Sequence, residues 1–313
     1  MTGSKWRLRG SKWLDPAFRG LTAAMAFLVL VLIAAMGVVL YSKGHLALST
    51  FGAKFLWTSQ WDPVKGLFGA LPNIYGTVVS SVIAIAIATP IGIGIAIFLT
   101  EMAAPWLAKP VGLAIEMLAA IPSIIYGMWG LFIFAPFLAQ HVFPALKAVA
   151  GNSPLFAGAP LGIGMLPAAL ILAVMILPFI ASVCRDVFSL VPAVDKESGY
   201  GLGATTWEVV RGVVIPHTRA GIIGATFLAL GRALGETMAV TFVIGNTHQI
   251  SASLLDPGCT IASTLANEFS EAVSDLHVAS LIELGFVLFL ITTVILACAK
   301  FLLWRIESRI KGR

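Results

Sequence analysis

An arginine and a glutamate, Arg232 and Glu236, stand inside a long apolar stretch of the chain. On a helix over 220–245, Arg232 lies about a dozen residues from the start, roughly 18 Å deep and close to a bilayer midplane. An arginine at that depth costs about 2.5–3.5 kcal/mol on insertion scales, so it needs a reason. Glu236 follows at i+4, on the same face and one turn further on, where it neutralises the guanidinium. Two uses fit. One is a structural ion pair that fixes helix packing. The other is an anion path, in which Arg232 grips an oxyanion bidentately and Glu236 holds it when no substrate is present. Thr237 adds a neutral hydroxyl. Thr77, Ser80 and Ser81 offer more, although helix packing explains these as readily. Gly231 and Gly235 form a GxxxG stripe that admits a neighbouring helix.

A second constellation lies in the polar segment 185–219. Pro192 sits where a helix would start, and Gly201 and Gly203 where it would stop. Thr205 and Glu208 have capping-box spacing before Val209, Val210, Val213 and Val214. Pro216 is expected to end this second short helix. The expectation is a compact knob of two short helices joined by a glycine turn, either an interfacial helix pair or a docking element.

These residues are positioned by an apolar chain. Of 313 residues, 58% are hydrophobic and only 11% charged, too few charges for a soluble fold. Six stretches are long enough to cross a bilayer: 21–42, 74–100, 111–140, 161–183, 220–245 and 278–299. The expected organisation is a basic tail (1–20), a first transmembrane helix (21–42) and an outward loop (43–73). A core of five helices (74–303) and a second basic tail (304–313) follow. The first helix is expected to remain uncleaved, since its apolar run exceeds a signal-peptide core. Pro90, Pro122 and Pro136 place the second and third helices inside the bundle. With the N-terminus in the cytoplasm, alternation puts fifteen of the twenty Lys and Arg residues on the cytoplasmic side and four outside. Both termini are therefore expected in the cytoplasm.

The net charge of +5 forms no basic face, so no nucleic-acid partner is expected. Cys184, Cys259 and Cys298 have no ligand spacing, and the five histidines suggest no cluster, so neither metal nor cofactor is expected. Cys259 is expected to face outward, accessible to reagents. Glu116 and Glu283 are taken as structural. No Gly-Lys dipeptide occurs, so a P-loop is absent and the chain is not expected to be an enzyme.

The segment Glu197-Ser198-Gly199, then Gly203, then Val213-Val214-Ile215-Pro216, resembles the EAA loop of ABC-importer permeases, with its spacing kept throughout. Ser198 and Gly199 replace the two alanines, and Val213 and Ile215 the apolar pair. The run from Gly231 to Val240 resembles phosphate-importer permeases. So do Ile121-Pro122-Ser123-Ile124-Ile125-Tyr126-Gly127 and the outward Thr58–Pro63 and Gly69–Pro72 segments, of the PstC rather than the PstA type. The resemblance implies an all-α type I (MetI-like) permease of the bacterial inner membrane. It implies a coupling loop in which Glu197 and Gly203 are the matched positions, and phosphate transport by alternating access. A PstA-type permease, two ATP-binding cassette ATPases and an extracytoplasmic phosphate-binding protein are the implied partners. A permease for phosphonate, sulfate or molybdate is the alternative. A self-sufficient secondary transporter, marked by unwound helix pairs, is the rival of another class.

Overall fold

A computed structural model describes residues 14–150 and 153–311. Among the described residues the chain is helical, with two isolated bridges and no strand. Six helical spans are long and apolar enough to cross a membrane. The first is α1 (Leu14–Phe51), followed by the short α2 (Lys54–Trp57). The second is α3 (Leu71–Ile97), extended by a π turn at Phe98–Met102. After α4 (Pro105–Ala119), the third span is α5 (Ser123–Trp129), α6 (Ala135–Phe137) and α7 (Phe143–Ala150), joined by π turns. The fourth is α8 (Met165–Ser189). Beyond α9 (Ala193–Gly201), α10 (Thr206–Val209) and α11 (Ile215–Leu234) form the fifth through another π turn. Then α12 (Met238–Thr241) and α13 (Ile261–Glu268) precede α14 (Asp275–Lys311), the sixth.

The centre is the pairing of α3 with α8. Gly76, Ser80, Ala84, Ala88, Gly92 and Ala96 recur every four residues along α3 and are all buried. A Cβ at Gly92 would stand 2.9 Å from Ile180 Cγ2, so the two backbones approach closely. In lipid, where apolar burial gives helices little reason to associate, such a small-residue stripe is what lets them pack. Ile171, Leu172, Ile176 and Ile180 of α8 are fully buried in the same core. By contrast, α1 packs along α14, and its apolar side chains from Leu21 to Tyr41 remain largely exposed, as a lipid-facing helix requires.

Several boundaries differ from expectation. The stretch 111–140 is not one helix, because Pro122 caps a break between α4 and α5. Pro lacks an N–H and disfavours a helical residue before it, so the helix restarts there. Pro216 does not end the second short helix. It lies in the first turn of α11, where a missing N–H is tolerated, and the π turn at Val210–Val214 carries α10 into the span. The expected outward loop 43–73 begins as the last turns of α1, and α14 continues through most of the expected tail 304–313. Lys5, Arg7, Arg9 and Lys12 of the first tail, and Arg313, lie outside the described residues.

The fifth span departs most. Helix α11 stops at Leu234, with Gly235 as its cap, and does not run to 245. Gly221 faces Val187, near the end of α8. Arg232 is eleven residues further, about 16 Å up the helix and level with the middle of α8. The crossing is finished by α12 and irregular chain that satisfies its polar backbone on protein. Val243, Asp256 and Leu254 carbonyls accept from the amides of Gly164, Met165 and Leu166 at 2.8, 3.1 and 2.7 Å, which also caps α8. Non-helical backbone at membrane depth is stable only with such partners.

Candidate functional site at a broken span

Because α11 ends at Leu234, Glu236 does not reach the turn above Arg232, and the two form no ion pair. The expected pairing is corrected accordingly: the chain leaves the helix at Gly235 (φ −91°, ψ 1°) before i+4 geometry is reached. Glu236 Oε1 instead accepts from the amide of Ala239 at 3.2 Å, capping α12. Arg232 is exposed, in the last turn of α11, where a cation faces the negative end of the helix dipole. Thr237 is half-buried and its hydroxyl donates to the Gly235 carbonyl at 3.3 Å. Gly231 lies against Leu296 of α14, whereas Gly235 is exposed, so only one of the two glycines meets another helix. Thr77 and Ser80 are buried and bond backbone carbonyls of their own helix, and Ser81 is buried without a partner. None of these three stands beside Arg232 on an open surface.

The knob forms as a helix, a glycine turn and a second helical start. Gly203 has φ +87°, with its amide on the Tyr200 carbonyl at 2.9 Å and that of Ala204 on Gly199 at 3.2 Å. This is a Schellman cap, and only glycine takes that left-handed residue without strain. Thr205 and Glu208 make both bonds of a capping box. Gly199 packs on Val209, a Cβ there standing 3.1 Å from Val209 Cγ2, so the glycine keeps the two helices together. Val214 is buried, Val213 and Ile215 are half-buried, and Pro216 is exposed. Outward face Glu197, Ser198 and an apolar set that the motif did not reveal: Leu190, Val194, Leu202 and Trp207, 76%, 69%, 90% and 63% exposed. Single-residue exposure carries no pattern in a sequence, which is why these were missed.

At the opposite end a polar cap closes over α3 and α14. Glu268 accepts from Trp61 Nε1 at 2.9 Å and meets His248 Nε2 at 2.8 Å and His277 Nε2 at 2.9 Å. The Asn73 side-chain oxygen meets His248 Nδ1 at 3.2 Å and accepts from Cys259 at 2.8 Å and Thr264 at 2.9 Å. Burial raises the Glu268 carboxyl, but its bonds to His248, Trp61 and His277 outweigh that and leave it below its usual value. Cys259 is buried and its thiol is pushed up to about 12 by burial, so it is not the accessible thiol expected. No sequence signal joined histidines and a glutamate this far apart. Glu116 pairs with Arg185 near the knob end, and Glu283 is buried against Gly44 of α1.

Six spans, a knob at one end and a broken fifth span define a membrane permease subunit of the type I (MetI-like) importer fold. The family described as "Binding-protein-dependent transport system inner membrane component" matches residues 88–312, and the chain belongs to it. Among relatives, the phosphate transport system permease protein PstC of Mesorhizobium japonicum is 58% identical over 94% of this chain and 91% of its own. That of Pasteurella multocida is 55% identical over 96% and 94%. A bacterial alginate ABC transporter in complex with an alginate pentasaccharide-bound periplasmic protein superposes with TM-score 0.61 at 14% identity, over 94% of this chain and 98% of that one. The MetNI methionine ABC transporter gives 0.51 at 18%, over 78% and 95%. At these identities the structural likeness is one of fold.

Proposed function

We propose that this chain is the permease subunit through which an ATP-driven importer carries inorganic phosphate into the cytoplasm by alternating access. The observation that carries the reading is the identity above 50%, across nearly the whole of both chains, with permeases named for phosphate transport. The knob supports it. A surface that offers Leu190, Val194, Leu202 and Trp207 to solvent beside Glu197 is shaped for a protein partner. In this reading the partner is an ATP-binding cassette ATPase, two of which drive the importer. Arg232 is exposed on the isolated chain, and a homologous PstA-type permease packed across from it would close a path with this arginine on its wall. A phosphate-binding protein delivers the anion to the cap end, outside the inner membrane, while both termini and the knob lie in the cytoplasm. ATP hydrolysis belongs to the partner, and this subunit is not catalytic.

The unwound fifth span also suits a secondary transporter. The identity to ABC permeases and the exposed knob favour the importer. The test is reconstitution of the chain with its partner permease, ATPase and binding protein in liposomes. ATP-dependent uptake of phosphate, with sulfate, molybdate and phosphonate excluded, is the expected result. Uptake of another oxyanion in its place, or uptake by this chain alone, would refute the assignment.

A further inference from the structure

The docking helix α9 has two inward attachments. Gly199 seats it on Val209, at the start of its own outgoing span. Lys196 Nζ, three residues earlier on the same face, bonds Glu101 Oε1 at 2.6 Å in the π turn that ends α3. Glu101 is 4% and Lys196 18% exposed at the side chain, so this is an enclosed pair and not a solvated surface contact. Among the described ion pairs it is the one that joins α9 to another span. Enclosing two charges gives little net stability over an apolar pair, but it fixes one partner against the other in direction and distance. The first attachment leads into α10–α11, which stops at the break after Leu234. The second leads into α3, which runs unbroken back to Asn73 beneath the cap, about 42 Å away at 1.5 Å per residue.

We propose that Glu101 and Lys196 are positioning residues for coupled transport: their bond makes α3 follow α9, so that displacement of the docking helix by the ATPase reaches the cap end. This rests on the reading of α9 as the ATPase docking element. Glu197, next in sequence, faces out to the partner while Lys196 faces in to α3. One turn of helix therefore receives the ATPase on one side and hands its motion to a transmembrane rod on the other. The small-residue stripe of α3 packs on α8 and braces the helix across Pro90, and its far end is held by Cys259, Thr264 and His248 through Asn73.

The test uses the complete importer in liposomes and reads ATPase subunit retained, ATP hydrolysed and phosphate moved per ATP. Lys196→Met and the neutral pair Glu101→Gln with Lys196→Met are expected to keep the ATPase and to hydrolyse ATP. Phosphate moved per ATP should fall by about fivefold or more, as a lost coupling contact implies. The exchanged pair, Glu101→Lys with Lys196→Glu, should recover most of that ratio. A wild-type ratio in the neutral pair overturns the proposal. So does a parallel loss of hydrolysis and transport with no rescue by exchange, which is the outcome of a purely structural pair. Ser198→Cys, on the outer face of α9, should cross-link to the ATPase. If it does not, the docking reading itself fails and takes the proposal with it. If it does and the ratio is unchanged, only the link fails.

Discussion

Among the described residues Arg232 has no carboxylate partner, and it is exposed in the last turn of α11, where its charge can meet an anion. Arg232→Gln removes a charge that is costly to insert, and the subunit should reach the membrane and assemble normally. Phosphate uptake should fall about ten- to a hundredfold, the worth of a charge-assisted bidentate contact. Arg232→Lys keeps the charge without the fork and should fall between. Glu236→Gln should change uptake little, because that carboxylate caps α12 and does not hold the arginine. Uptake by Arg232→Gln within about twofold of wild type, well under one such contact, would take the residue out of the path. At the cap, Glu268 titrates below its usual value when folded. Its contribution is therefore present above the unfolded value near 4.5 and is lost as pH falls through the folded one. Glu268→Gln should lower stability by about 2 kcal/mol at neutral pH, since hydrogen bonds to a charged acceptor become neutral ones. Melting in detergent as a function of pH measures both effects, and the variant should lose the wild-type decline below pH 4.5.

The stripe from Gly76 to Ala96 makes α3 intolerant of bulk on one face only. Ala84→Leu should destabilise the subunit by about 1–3 kcal/mol by overpacking against α8, while Val82→Leu, on an exposed face, should not. Equal melting temperatures for the two would contradict the packing. Gly203→Ala should cost about 1–2 kcal/mol through its left-handed φ, with no steric contact involved because nothing lies within 4 Å. Six spans, the glycine turn and the Thr205–Glu208 capping box were legible because each is a local pattern of hydropathy or hydrogen-bonding side chains. The break after Leu234 was not. Hydropathy stays high through Met238, Ala239, Val240 and Val243, and apolarity says nothing of whether a backbone carbonyl accepts within a helix or, as that of Val243 does, from the distant amide of Gly164. That is why an i+4 ion pair was inferred where none forms. The Glu268 cluster was invisible for another reason: Trp61, His248 and His277 meet it only once four elements have packed.

Across the whole molecule, the knob and the cap lie at opposite ends of the bundle, and the proposal that the knob faces the cytoplasm rests on the charge pattern. Alternation of the six apolar stretches with the N-terminus in the cytoplasm would put fifteen of the twenty Lys and Arg residues on that side, where loops retain such residues. The native cysteines are poor reporters, because Cys184 and Cys259 are buried and Cys298 lies in the apolar part of α14. Two engineered thiols serve better, placed where side chains are almost fully exposed: Val273→Cys in the cap, at 96%, and Leu202→Cys in the knob, at 90%. With Cys298 replaced by Ser, a membrane-impermeant thiol reagent should label Val273→Cys in intact cells and Leu202→Cys only in inverted vesicles. The reverse pattern would invert the orientation, and labelling of both from one side would contradict the fold. Adding the ATPase to inverted vesicles extends the test from topology to coupling. Leu202 is exposed on the knob together with Leu190, Val194 and Trp207, and a partner seated there must cover it. Protection of Leu202→Cys by the ATPase, with Val273→Cys unaffected, is therefore expected. Undiminished labelling in its presence would place the docking surface elsewhere on the chain.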